Sequence, residues 1–339
     1  MIQQDEIIIR KGIVHILDGE LGHPVYSEEE LQASPAVNDF FRGHIYGLLS
    51  GDDLKKCYFS EEEPSEVYEL VKAFKEEELV QVSKKFADIL YKLMNENVAI
   101  PSGDLAVLTF QVQGSQYLAL LKMNDKESFV HMTSAEESGN VNQIICYQST
   151  LPAMGAKLSE AVLIHLEDFS VQLVEKKYEV GGSKVNYLSE LFLKCKASMS
   201  SKSRLSIVTK AVEQIGQKHF AEEPVKQMEA KRILKEELQE NNGTLKVEKI
   251  SEKLYGDMPE IQEEFDDKLK KYHMEQAEVS LQSEKTTKRF EKQYLKPDTG
   301  IEINIPMEQY QDIESVEFLT NPDGTISVLI KNISKISTR

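Results

Sequence analysis

Within HILDGELGH, from His15 to His23, two imidazoles and two carboxylates fall in one short stretch. His15, Asp18, Glu20 and His23 are types that hold a borderline divalent ion, nitrogen and oxygen donors together. The same letters read as a strand end running into a glycine-containing turn with solvated acids. That plainer reading is favoured, because nothing in the spacing fixes a coordination geometry. His165 lies in AVLIHLED beside Glu167 and Asp168. An imidazole next to a carboxylate can move a proton, yet no nucleophile is tied to it. A half-buried, hydrogen-bonded histidine is expected. The chain has no G-x-x-x-x-G-K-[ST], H-E-x-x-H or G-x-S-x-G pattern. No catalytic residues, metal or cofactor are expected.

Phosphate chemistry offers two further candidates. Pro297-Asp298 followed by Glu302-Ile303-Asn304 is similar to the Asp…Glu-x-Lys arrangement of metal-dependent nucleases, where two carboxylates hold an ion beside the scissile phosphate. Asn304 stands where the cationic Lys is needed, so a turn leading into a strand is the favoured reading. The second candidate is a basic island. Between Gly181 and Lys210 lie Lys184, Lys194, Lys196, Lys202, Arg204 and Lys210, with Glu190 the lone acid. Cations that neutralise phosphates release counterions, so a local cluster can bind DNA. Ser198, Ser200, Ser201 and Ser203 add donors suited to backbone contacts. Composition alone favours the plainer reading, a helix whose lysines snorkel over apolar surface.

The island contrasts with the whole. The 339 residues carry 57 Asp plus Glu against 40 Lys plus Arg, a formal net charge of −17. That disfavours nucleic-acid attraction over the whole surface and confines any phosphate contact to a patch. No apolar run approaches the ~18 residues of a membrane span, so no membrane partner is expected. Met1 leads into IQQDEIIIRKG, which lacks a charged-then-apolar export pattern. Cys57, Cys146 and Cys195 are widely spaced, which argues against a disulfide framework. A cytoplasmic protein is expected.

The elements that must position these groups form two blocks. DEIIIRKGIVHILD reads as a strand, SPAVNDFFRGHIYGLLS as a helix with Pro35 in its first turn, and Pro64 to Asn97 as helix interrupted at Glu76–Glu78. DLAVLTFQVQGSQYLALLKMN reads as a hairpin about Gln113-Gly114-Ser115, and QIICYQ, AVLIHLE and FSVQLVEKKYEV add strands. Val180-Gly181-Gly182-Ser183 punctuates the chain. Beyond it, SRLSIVTKAVEQIGQKHF, EPVKQMEAKRILKEELQEN, VEKISEKLYG and MPEIQEEFDDKLKKYHMEQ are helical. IEINIP, SVEFLT and TISVLIKNI close the chain as strands, the last two about the turn Asn321-Pro322-Asp323-Gly324. The expected class is α+β. Residues 1–180 would form a mixed sheet with helices, and residues 181–339 a helical domain closed by a small β-meander.

Four stretches sharpen the functional expectation: GDLAVLTFQVQGSQYLALLKM, NYLSELFLKCKAS, SRLSIVTKAVEQI with LKVEKISEKLYG, and the closing GIEINIPMEQYQDIESVEFLTNPDGTISVLIKNI. In content and order the chain resembles the bacterial 37-kilodalton nucleoid-associated protein family over essentially its whole length. The resemblance implies a nucleoid protein that meets DNA or DNA-handling machinery, with no established catalytic residue and no cofactor. In that family the Tyr-Leu segment tends to run on into closely spaced Lys and Arg; here it offers Lys194 and Lys196 before the serines. The leading expectation is low-specificity contact with duplex DNA through the six island cations. The alternative is an acidic interaction protein recruited by a DNA-bound partner such as a topoisomerase, and a weaker one is a metal-dependent nuclease or phosphodiesterase. A homodimer would double the basic surface.

Overall fold

The computed structural model describes residues 2–60, 62–136, 139–221, 223–296 and 298–336. Met1 and Pro297, which entered the sequence reading, lie outside them. The chain folds as two compact units that divide between Ser200 and Ser201, an α+β protein as the sequence predicts.

The first unit is built on a six-stranded sheet of β1 (Ile8–Leu17), β2 (Lys55–Cys57), β3 (Gly103–Val112), β4 (Ser115–Asn124), β7 (Ala161–His165) and β8 (Val171–Val174). Its order is β1-β3-β4-β7-β8-β2, with antiparallel neighbours throughout. The strands read as nearly continuous apolar runs because both faces are covered. In β3, Leu105 and Val107 join Phe86 and Leu90 of α3 (Leu79–Glu96), while Ala106, Leu108 and Phe110 join Phe41 and Ile45 of α1 (Pro35–Leu49). Alternate side chains point to opposite faces, so one strand feeds two cores. The Ser34 hydroxyl accepts from Val37 N and caps α1, with Pro35 in its first turn. A short helix, α2 (Glu66–Lys72), precedes α3, and a single 3₁₀ turn at Glu76–Glu78 separates them, as the acidic run predicts.

The stretch around QIICYQ is a strand, but not of this sheet. β5 (Lys126–Glu136) and β6 (Gly139–Thr150) pair only with each other. Phe129, Met132, Ile144 and Tyr147 are exposed on this two-stranded arm. β9 (Tyr178–Val180) and β10 (Ser183–Val185) form a hairpin around Gly181-Gly182, whose positive φ angles the turn requires. The chain then re-enters the core. Tyr187, Leu188, Phe192, Leu193 and Cys195 pack with the residues beneath α3. That packing carries the first unit to residue 200, past the glycine punctuation.

The second unit contains α4 (Ser201–His219), α5 (Pro224–Glu240), α6 (Val247–Tyr255) and α7 (Pro259–Lys270), with α8 (Glu284–Thr287) a single turn. Leu205, Val208, Val212 and Ile215 are buried on α4, the face that its helical period predicts. β11 (Thr244–Lys246) pairs with β12 (Glu278–Ser280). The closing strands pair as two separate two-stranded sheets. β13 (Lys292–Leu295) joins β14 (Ile303–Pro306), and after α9 (Met307–Gln311), β15 (Val316–Thr320) joins β16 (Ile326–Ile330).

Candidate nucleic-acid interface

The segment Tyr187–Ser200 is a strap rather than a solvated helix. Leu188–Phe192 forms one π-helical turn, closed by Leu193 N donating to Leu188 O at 2.8 Å. The fully buried Glu175 carboxylate anchors it from β8's end, accepting from Ser189 N and Ser189 Oγ, each at 2.9 Å. The same carboxylate takes the Lys55 ammonium at 3.0 Å. A buried carboxylate needs this full set of donors. After the turn the chain reverses at Lys194, whose φ of 53° lies in the left-handed region that glycine or asparagine occupies more cheaply.

The strap then covers the free edge of β2. Phe59 bridges Cys195, and Ser198 N donates to Lys56 O at 2.8 Å. Both anchors obey one antiparallel register, which sets Lys196 opposite Tyr58. Cys57 and Cys195 are bonded to each other, their Cα atoms 6.2 Å apart. The wide spacing of the cysteines argues against a disulfide, and this bond corrects that expectation; Cys146 is free and exposed. Because Cys57 points inward, its neighbours Lys56 and Tyr58 alternate outward, with Tyr58 68% exposed. Lys194 and Lys196 are exposed on the strap. Four outward groups, three cations and one aromatic ring, thus share one edge. Lys56 and Tyr58 escaped the sequence reading, although the alternation in KKCYF was their signal.

The other island cations are placed differently. Lys184 is exposed on β10, opposite Glu179 of β9, so the fold supplies an acid that the linear stretch lacks. In the second unit, α4 spreads its cations. At ~100° per residue, Lys202 and Arg204 flank the buried stripe on opposite sides, and Lys210 points away from it. Among the described residues, Lys184, Lys194, Lys196, Arg204 and Lys210 have no carboxylate within ion-pair distance.

The residues of the hydrolytic candidates occupy hydrogen-bonded core, turn and strand positions. His15 is fully buried. Its Nδ1 accepts from Ser27 N at 3.1 Å, and its Nε2 lies 2.9 Å from Ser83 Oγ. Since Ser83 Oγ itself donates to Val80 O, Nε2 carries the proton and the ring is neutral. Asp18 accepts from Glu20 N, and His23 sits against Leu21 O. His165 pairs with Asp168 at 2.9 Å and packs edge-on against Tyr117. Glu302 is committed to Lys296 at 3.0 Å, and Asn304 lies opposite Tyr294 in the β13–β14 pair. Among the described residues, no group of three or more His, Cys, Asp or Glu side chains is placed to hold a metal ion. No helix among them is long and apolar enough to cross a membrane.

No curated protein matches this chain. The family model of the nucleoid-associated protein YejK, NA37, matches residues 13–336. That match takes in both units, from β1 to beyond β16, and with it the strap and its outward cations. The chain belongs to the nucleoid-associated protein YejK family.

Proposed function

We propose that this nucleoid-associated protein contacts the phosphate backbone of duplex DNA, with little sequence preference, through the β2 edge and its strap. The observation that carries the reading is Lys194. A lysine occupies a left-handed position that glycine would fill at lower cost, and such outliers gather at functional sites. It stands exposed beside Lys196, Lys56 and Tyr58 on a segment fastened by the Cys57–Cys195 bond and by Glu175. A backbone already fastened leaves only the lysine side chains to be ordered on meeting a phosphate. Tyr58 adds a ring that can pack on a sugar or a base. Lys184 adds a further exposed cation on the first unit, and Lys202, Arg204 and Lys210 give α4 its own phosphate contacts.

A homodimer belongs to the same reading. A lone two-stranded ribbon is marginal in water, and the β5–β6 arm exposes Phe129 and Ile144 at 71% and 79%. A second copy laid against the arm buries them and doubles the basic edge. Sedimentation of the wild type against Phe129→Ser with Ile144→Ser is expected to show a dimer reduced to monomer; a monomeric wild type removes this element.

The test of DNA contact is anisotropy of a labelled duplex across a salt series. Replacing Lys194 and Lys196 by Gln is expected to flatten the slope of log K against log salt by about two, close to one per lost phosphate contact. An unchanged slope in a folded variant refutes the site. Failure of the folded wild type to bind at low salt refutes direct contact and favours recruitment by a DNA-bound protein partner.

A further inference from the structure

The second unit holds a cleft of about 660 Å³ between α4, α5, α6 and the α8–β13 segment. It has no part in the reading above. Its volume falls in the range of small-ligand sites. Its floor is apolar and buried, formed by Val212, Leu234, Tyr255 and Phe290.

Its polar wall is unbalanced. Three lining cations are already neutralised: Lys226 by Glu223, Lys253 by Glu237 and Glu240, and Lys296 by Glu302. The lining Glu229 is likewise spent on Arg232. Two cations remain. Half-buried Lys231 donates to the Lys292 carbonyl at 2.6 Å, and rim-exposed Arg289 lies 4.7 Å from the Phe290 ring centroid and 3.4 Å from Thr209 Oγ1. Neither contact removes a charge. Among the described residues, Glu213, exposed at the rim, is the one lining carboxylate left to face both. The trio therefore keeps a net positive charge. Burial first, and then the Arg289 charge, push the Lys231 ammonium below the usual lysine range, against a smaller opposing pull from Glu213. Two like charges held over an apolar floor are stabilised by an anion between them.

A second, independent feature points the same way. Gln293 lines the cleft, and its Oε1 atom is buried with no hydrogen-bond partner among the described residues. Buried acceptors are ordinarily satisfied, so a turn of the Gln293 amide into the cleft would let a ligand's donor satisfy it. A suitable ligand thus combines an anion, a flat apolar body and a hydroxyl or amino donor. An inorganic anion lacks the body, a fatty acid lacks the donor, and a sugar phosphate lacks the flat ring.

We propose that this cleft binds a nucleoside phosphate. Its phosphate pairs with Lys231 and Arg289, its base lies on the floor of Val212, Leu234, Tyr255 and Phe290, and a hydroxyl or amino group donates to Gln293.

The test is titration of the full chain with a fluorescent N-methylanthraniloyl ADP, followed by competition. Saturable binding is expected, with ADP displacing the probe at least tenfold better than adenosine or inorganic pyrophosphate. Lys231→Gln combined with Arg289→Gln is expected to weaken binding at least tenfold. Lys231→Arg, which keeps the charge, retains it, and Gln293→Leu weakens it. Absence of saturable binding to the folded wild type overturns the proposal. So does undiminished binding by the folded double variant, and so does pyrophosphate competing as well as ADP.

Discussion

Lowering the pH should destabilise the first unit through His15. The ring is buried and neutral, with Nδ1 accepting from Ser27 N. Protonating Nδ1 would set two N–H groups against each other in the core. Burial, and then the charge of Lys84, lower the His15 pKa from 6.5 to about 4, with Asp88 and Glu28 pulling weakly the other way. Between those values the unfolded chain binds a proton that the folded chain does not, so stability rises with pH across the interval. The contribution is complete above pH 6.5 and is lost as pH falls towards 4. A shift of about 2.5 units at ~1.4 kcal/mol each makes the full contribution about 3.5 kcal/mol. Two units need not unfold together, so the assay should isolate the first. Amide hydrogen exchange of Leu105–Leu108 in β3 reports its opening, measured at pH 7 and pH 4.5. His15→Gln, which never titrates, should be less stable at pH 7 but lose about 2.4 kcal/mol less than the wild type between pH 7 and pH 4.5. Other titrating groups cancel in that difference. A His15 ring that titrates near 6.5 by NMR, or equal losses in the two proteins, would refute the reasoning.

Two further substitutions probe the strap. Glu175→Ala leaves Lys55 and both Ser189 donors without their buried acceptor, and should cost about 3 kcal/mol in urea unfolding; a loss below about 1 kcal/mol would mean that the strap is held elsewhere. Lys194→Gly should move two observables in opposite directions. Relief of the left-handed residue stabilises the fold by about 1 kcal/mol, while loss of one phosphate contact flattens the salt slope by about 0.9. A slope that does not move would take Lys194 out of the interface.

Local patterning alone determined much of this protein. The two apolar runs about Gln113-Gly114-Ser115 had to pair as β3 and β4, since β-prone runs flank a residue pair with positive φ. The stripe of Leu205, Val208, Val212 and Ile215 had to be a buried helix face. Family membership was legible in the order of such stretches. What sequence distance conceals, tertiary structure decided. Tyr187–Ser200 has the letters of a basic helix, but Tyr187, Leu188, Phe192 and Leu193 find their partners under α3, far away in the chain. Burying those side chains outweighs local propensity and turns the segment into a strap. Cys57 and Cys195 are separated by 138 residues, and no local pattern reports that they meet. His15 and His23 are near in sequence, but the strand that carries His15 aims it into a core, so a stretch with the letters of a metal site became a buried neutral ring and an exposed turn. Charge is legible residue by residue, whereas which charges are left unpaired depends on where the fold places the acids.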